Sequence, residues 1–177
     1  MATNLQFIKS AEITTQSASL SVTDIFSARY DNYVIMISNM VASADDTMRF
    51  TYIDASGEVT ASNYDYAEQI MYSSTSFGTD KNVGQTSAPL GGYGIQGLEE
   101  GMGMEMIIYN PFNATYTFSS FQCGYHAGTS NTELARKGYT MYDTNGSMTG
   151  IKFKWNASGE YEALKVNVYG IKEWVEV

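Results

Sequence analysis

His126 is the single histidine of this chain, so any Ser-His-Asp or Cys-His catalytic site would have to use it. The single cysteine, Cys123, precedes it by three residues. Residues three apart in a regular strand point to opposite faces, and closeness in sequence does not by itself build a triad. One histidine and one cysteine also fall short of the four ligands of a structural zinc site. We therefore predict a small core cysteine beside a satisfied or exposed histidine, without catalysis or metal binding.

The carboxylates and glycines do not form a recognisable site either. Asp143–Gly146 begins like a calcium loop, but Lys154 stands where that loop needs a bidentate glutamate, and a hairpin turn is the simpler interpretation. Glu99 and Glu100 are adjacent and would face apart in a strand, whereas a glycosidase pair must converge on one bond. The glycine-rich segment 91–94 lacks the spacing of a phosphate loop. We predict no enzyme and no cofactor.

The segment 73–100 is the place where we expect binding. It is rich in Ser, Thr and Gly and is too long for an ordinary connection, and loops of that length are usually functional or mobile. Tyr72, Phe77 and Tyr93 could contact protein or sugar surfaces there, because aromatic residues with Ser, Gly and Asn are typical of adaptable binding loops. The alternative is a flexible loop without a ligand.

Composition limits the classes of partner. A chain of 177 residues with 44% apolar residues can close one core, so we expect a single domain over residues 1–177. A net charge of -9 with 10 scattered Lys and Arg residues argues against nucleic-acid binding. No segment has the ~18 to 20 consecutive apolar residues that membrane insertion requires. Low charge content, 16%, and 14 tyrosines are typical of an assembled or extracellular β-protein.

The strand pattern is densest in Asn32–Ile53. Dense β-branched and aromatic residues over 32–41 and 47–53, with a polar turn at 43–46, predict a hairpin in the middle of a sandwich. A second hairpin is predicted from 101–109 and 114–123 around the turn Asn110–Asn113. The expected inward residues of the second half are Met102, Met104, Met106, Ile108, Tyr116, Phe118, Ile151, Phe153, Trp155, Leu164, Val166 and Val168.

Turn signals recur about every 8 to 12 residues without a long helical period. They predict an all-β, single-domain antiparallel β-sandwich, jelly-roll-like, with roughly eight to ten strands and at most one short helical turn, at Asp24–Tyr30. Residues 1–18 are expected to form an N-terminal arm or an edge strand. Trp174 is a candidate subunit contact, and homo-oligomerisation is expected because these features offer apolar surface.

Three groups of residues share a recognisable order. They are Phe26, Ser27, Tyr30, Asp31 and Tyr33 in an F-S-x-x-Y-D-x-Y pattern, then Arg49, Phe50 and Gly57, then Asn63, Tyr64 and Tyr66. This order resembles the jelly-roll domains of virion structural proteins of tailed bacteriophages, especially marine and cyanobacterial ones. The resemblance covers about the first half of the chain and includes no catalytic motif.

The resemblance implies a non-enzymatic virion component, of the tail or fibre-type appendage kind, that is displayed on the particle and contributes to host-surface attachment. One alternative is a capsid decoration or cement protein that stabilises the head. An alternative from another class is a carbohydrate-binding module. The implied localisation is the virion, and the implied partners are other virion proteins, further copies of the chain in a trimer, and a glycan or protein of the host surface.

Overall fold

The computed structural model describes residues 4–74, 76–91, 101–127, 132–156 and 159–172. In these residues the chain forms two antiparallel sheets packed as a sandwich, which confirms the prediction of an all-β antiparallel β-sandwich. The described residues include no helix that is long and apolar enough to cross a membrane.

The described strands are, in chain order, β1 (Leu5–Ile13), β2 (Ser19–Val22), β3 (Asn32–Ala42), β4 (Met48–Asp54), β5 (Gly57–Glu58), β6 (Tyr64–Tyr72), β7 (Phe77–Gln85), β8 (Ala88–Gly91), β9 (Met102–Tyr109), β10 (Thr115–Ala127), β11 (Thr132–Gly146), β12 (Gly150–Trp155) and β13 (Tyr161–Ile171). Eight form one sheet in the order β1-β13-β3-β9-β10-β11-β6-β7. The other sheet has the order β2-β12-β4-β5, with β8 paired to β4. The sequence predicted fewer strands because β5, β7 and β8 lack a clear apolar alternation.

Alternating side chains of the two sheets fill the space between them. The inward residues predicted on β9, β12 and β13 are all buried, so that part of the prediction is confirmed. The facing predicted for β10 is wrong: Tyr116 and Phe118 are each 47% exposed, whereas Thr117 and Ser119 are buried. From Thr117 onwards every second residue of β10 is buried, and Phe121 belongs to this series. The buried apolar residues in the second half of the strand therefore determine which face of β10 points into the core.

The hairpin predicted over Asn32–Ile53 is wrong. The first strand, β3, lies inside the eight-stranded sheet between β13 and β9, while β4 belongs to the opposite sheet. The supposed hairpin turn at Asp143–Gly146 lies within β11, and β12, which follows, is again in the opposite sheet. A short polar segment can connect two strands of the same sheet as a hairpin, or it can connect strands of the two opposite sheets. The local residue types do not distinguish these two kinds of connection. The hairpin of β9 and β10 around Asn110–Asn113 is confirmed.

Three other predictions are corrected or narrowed. The helical turn at Asp24–Tyr30 is absent, since Asp24 has a φ of 59° and the segment is irregular. Of the two alternatives for residues 1–18, Leu5–Ile13 is the edge strand β1, paired with β13. The segment 73–100 is not one long loop, because it contains β7 and β8.

Tyr33 explains the F-S-x-x-Y-D-x-Y pattern in structural terms. Its hydroxyl donates to the Ser27 carbonyl oxygen at 2.9 Å and accepts from the Ser27 amide at 2.8 Å. Its ring makes edge contacts with Phe26 and Tyr30, at centroid distances of 4.9 and 5.8 Å. The pattern therefore holds an irregular segment against the end of the core, and the aromatic residues have a packing role.

Candidate functional site

The outer face of the eight-stranded sheet, turned away from the five-stranded sheet, carries a groove of about 760 Å³. Five adjacent strands form it, in the order β9, β10, β11, β6 and β7. The outward side chains that line this groove are Ala67, Gln69, Thr79, Lys81, Glu105, Ile107, Ser120, Gln122, Lys137 and Tyr139. Because the groove lies on one hydrogen-bonded sheet, its walls are held by the backbone of all five strands.

Tyr139 is the aromatic centre of the groove. Its ladder partners are Ala67 on β6 and Ser120 on β10, and both have short side chains. The ring is therefore not covered by its cross-strand neighbours, and Tyr139 is 57% exposed. A tyrosine flanked in this way offers a flat apolar surface with a hydroxyl at its edge.

A row of polar side chains crosses the groove beside this ring. The ladder registers align Glu105, Gln122, Lys137, Gln69 and Thr79 across the five strands. Neighbouring strands are about 4.8 Å apart, so the row is about 19 Å long. This length suits an extended ligand of several small units.

The groups of this row are available to a ligand. Among the described residues, the side chains of Gln69, Gln122, Lys137 and Glu105 make no hydrogen bond or ion pair. Two amides supply donors and acceptors, the ammonium group donates, and the carboxylate accepts. The groove therefore combines one exposed aromatic ring with amide, ammonium and carboxylate side chains that a ligand could bind.

A buried ion pair lies on the inner side of the same strands. The Arg136 guanidinium donates to the Glu68 carboxylate at 2.7 Å and to the Tyr125 hydroxyl at 2.9 Å. Burial raises the pKa of Glu68, and the nearby Arg136 charge opposes that change. Gly138 lies opposite Glu68, and a Cβ there would come within 2.7 Å of the Ala67 carbonyl oxygen. Tight inner packing thus fixes β6 and β11, which carry the centre of the groove.

The aromatic residues predicted as a contact loop do not lie together. Tyr72 ends β6, is half-buried and packs against the core. Phe77 begins β7, lies on the outer face opposite Met71 and is 72% exposed. Tyr93 lies outside the described residues, as does Trp174.

Cys123 and His126 lie on opposite faces of β10, as predicted from their spacing. Burial raises the pKa of the Cys123 thiol to about 12, so the nucleophilic thiolate is suppressed. His126 is on the outer face, with its Nδ1 at 3.6 Å from a carboxylate oxygen of Glu133. In the described part of the chain, no group of three or more His, Cys, Asp or Glu residues is placed to hold a metal ion.

An exposed apolar patch formed by Leu5, Phe7, Tyr109 and Phe118 adjoins the groove on the outer face. These four residues lie on β1, β9 and β10. Ordinary monomers expose apolar patches of about 300 to 600 Å². Exposed apolar side chains such as these do not by themselves require a second copy, and the homo-oligomer stays a prediction.

Sequence reasoning missed the groove. The outward direction of Lys137 and Tyr139 follows from the alternation of β11, and that signal was readable. Their alignment with Gln69 and Ala67 was not readable, because it depends on pairing between strands about 70 residues apart in sequence. The groove thus forms only when these distant strands pair in the sheet.

No protein-family model matches this chain, and no curated protein matches it. Among solved structures, the chain is similar to a peanut lectin with a 9mer peptide, at 10% identity and a TM-score of 0.31 over 92% of this chain and 97% of the lectin. It is also similar to CG-16, a homodimeric agglutinin from chicken liver, at 9% identity and a TM-score of 0.32 over 84% and 98% of the two chains. A third is the Caenorhabditis elegans galectin LEC-6, at 8% identity and a TM-score of 0.34 over 88% and 94%. At TM-scores this low, the similarities carry no argument about function.

Proposed function

We propose that this protein is a non-enzymatic carbohydrate-binding β-sandwich and that the groove on the outer face is its binding site. The observation that carries the proposal is the exposed Tyr139 ring beside a row of unoccupied polar side chains. The carbon-bound hydrogens on one face of a sugar ring pack on the electron-rich face of an aromatic ring. The hydroxyls of the sugar need donors and acceptors at fixed positions, which amide and charged side chains supply.

The environment of the reactive groups supports a binding function without catalysis. The Cys123 thiol is buried with a raised pKa, and His126 lies on the other face of β10. Glu105 is the one carboxylate among the outward residues that line the groove, whereas glycoside hydrolysis usually requires a pair. Glu68 and Asp80 also border the groove, but their side chains lie on the inner face, where they accept hydrogen bonds from Arg136 and Tyr66 and do not face a sugar together with Glu105.

We further propose that the setting of this activity is a virion appendage that attaches to a glycan of the host surface. Support comes from the resemblance of the first half of the sequence to virion structural proteins. Purified protein should then bind host cells and block infection. A decoration or cement protein, the alternative, would instead bind empty heads stoichiometrically and protect them against heat.

A glycan array tests the binding proposal. We expect wild-type protein to bind a defined set of oligosaccharides and Tyr139→Ala to lose that binding. Tyr116→Ala is the matched control, because Tyr116 is 47% exposed on the same face but lies outside the groove. Binding by none of the three proteins, or equal binding by all three, would refute the proposed site.

A further inference from the structure

We infer that the groove selects a saccharide that carries a carboxylate, such as a hexuronic or sialic acid unit, and that Lys81 and Lys137 recognise this group together. This inference rests on the proposed carbohydrate-binding function and adds the chemical class of the ligand. Both lysines line the groove and both are exposed.

Cations are the minority charge in this protein, and two of them line the groove. The chain has 10 Lys and Arg residues against 19 Asp and Glu residues. Six of the cations are hydrogen-bonded to other parts of the described chain; these are Lys9, Arg29, Arg49, Arg136, Lys152 and Lys154. Lys81 and Lys137 have no carboxylate within ion-pair distance in the described residues, although the protein is strongly acidic.

The ladder places the two lysines around the centre of the groove. Lys81 on β7 lies directly opposite Ala67 on β6, and Tyr139 lies opposite Ala67 from the other side. Lys137 lies opposite Gln69, which is two residues from Ala67 on the same face of β6. The short Ala67 side chain therefore leaves a space with Tyr139 on one side, Lys81 on the opposite side and Lys137 diagonally across the ladder.

A sugar acid fits this arrangement. Its ring can lie on Tyr139 while its carboxylate stands above Ala67, where both flexible lysine side chains can reach it. Bonds between an ammonium group and a carboxylate are charge-assisted and stronger than bonds between neutral groups. In water-exposed positions they contribute more to the choice between ligands than to total affinity.

The other charges near the groove limit the anion to a small one. Glu105 lies at the β9 end of the polar row, two strands from Lys137, and would repel a continuous polyanion. Asp80 is adjacent to Lys81, but its side chain accepts a hydrogen bond from the Tyr66 hydroxyl at 3.3 Å, on the opposite side of the sheet. A single carboxylate between the two lysines, with neutral hydroxyls towards Glu105, agrees with this distribution.

The test compares matched ligands on an array. Each hexuronic or sialic acid oligosaccharide is printed beside its methyl ester, which keeps the shape and removes the charge. We expect the best ligand to be an acid, its ester to bind about tenfold more weakly, and the difference to shrink at high salt. In Lys81→Met and Lys137→Met, acid and ester should bind alike, whereas the control Lys165→Met, an exposed lysine on β13, should behave like wild type.

The outcomes separate this inference from the function on which it rests. Equal binding of acids and esters by the wild-type protein, or a preference for neutral sugars, would overturn the inference while leaving carbohydrate binding intact. Loss of the preference for acids in Lys165→Met, with its retention in both groove variants, would also overturn it. Binding to no glycan of any class would overturn the proposed function itself.

Discussion

Tyr139 lies directly opposite Ala67 in the ladder that joins β11 to β6. The short partner leaves the tyrosine ring 57% exposed in the middle of an outward face. A longer side chain at position 67 would pack on the ring, as cross-strand neighbours normally do. The availability of the ring to a ligand therefore depends on the size of residue 67.

We expect Ala67→Leu to abolish sugar binding without loss of stability. The leucine would cover the Tyr139 ring and fill the groove, and the new cross-strand contact would contribute about 0.2 to 1 kcal/mol to the free energy of unfolding. Isothermal titration with the best ligand from the array and urea unfolding measure the two effects. Ala61→Leu, at an exposed alanine before β6 and away from the groove, should bind like wild type. Full affinity in Ala67→Leu would show that the sugar does not lie on Tyr139.

A second expectation concerns Glu58 on the outer side of the five-stranded sheet. Partial burial disfavours the charged carboxylate, but hydrogen bonds from Lys152 at 2.7 Å, Lys154 at 2.9 Å and Thr51 at 2.9 Å outweigh it and lower its pKa to about 2. The folded state thus prefers ionised Glu58, and this stabilisation is complete above the ordinary pKa of 4.5. It should be lost as the pH falls from about 4.5 towards 2.

Urea unfolding of wild type and Glu58→Gln at pH 7 and at pH 2.5 measures this effect. We expect wild type to be the more stable at pH 7 and the difference to decrease at pH 2.5. Glu12→Gln is the control, because Glu12 is exposed on β1 and, among the described residues, has no cation within ion-pair distance. A difference that does not change with pH would contradict the assigned pKa.

The buried pair of Glu68 and Arg136 should behave as a unit. Glu68→Ala leaves the guanidinium buried without its counter-charge, and such changes cost about 3 to 5 kcal/mol. The double variant Glu68→Leu and Arg136→Met replaces both charges with apolar groups of similar size and should be close to wild type in stability. Chemical unfolding of the variants measures the free energies. A loss below about 1 kcal/mol in Glu68→Ala would show that the pair is open to water.

Cys123 should be unreactive in the folded protein. Its thiol is buried under Leu90, whose carbonyl oxygen accepts a hydrogen bond from the sulfur at 3.5 Å, and burial raises its pKa to about 12. We expect no reaction with a thiol-specific disulfide reagent at pH 8 until urea unfolds the chain. Reaction of the native protein at the rate of free cysteine would contradict the buried position and reopen a catalytic role.

The sequence predicts the class of this fold well, because side-chain alternation is a local property. The inward residues of β9, β12 and β13 follow from their two-residue period alone. The order of the strands does not follow, since β3 pairs with β13, more than 100 residues later in the chain. The polar segments beside β3 have the residue types of a hairpin turn, although the chain crosses to the other sheet there.

The candidate site was less predictable than the fold for the same reason. Phe77 and Tyr72 drew attention because they are aromatic residues beside a polar segment, but they point to opposite sides of the sheet. Tyr139 gave no stronger signal than the other tyrosines of the chain. Its distinction comes from Ala67 and Ser120, two short residues on strands that the sequence does not place beside it.

The most direct measurement of the central proposal is a titration of ¹⁵N-labelled protein with the best ligand of the array, followed by the amide resonances. The proposal predicts shifts concentrated at Ala67, Gln69, Lys137 and Tyr139, with none at Phe50 or Phe153 in the five-stranded sheet. Shifts confined to the five-stranded sheet, or no shifts at saturating ligand, would contradict a carbohydrate site in the groove.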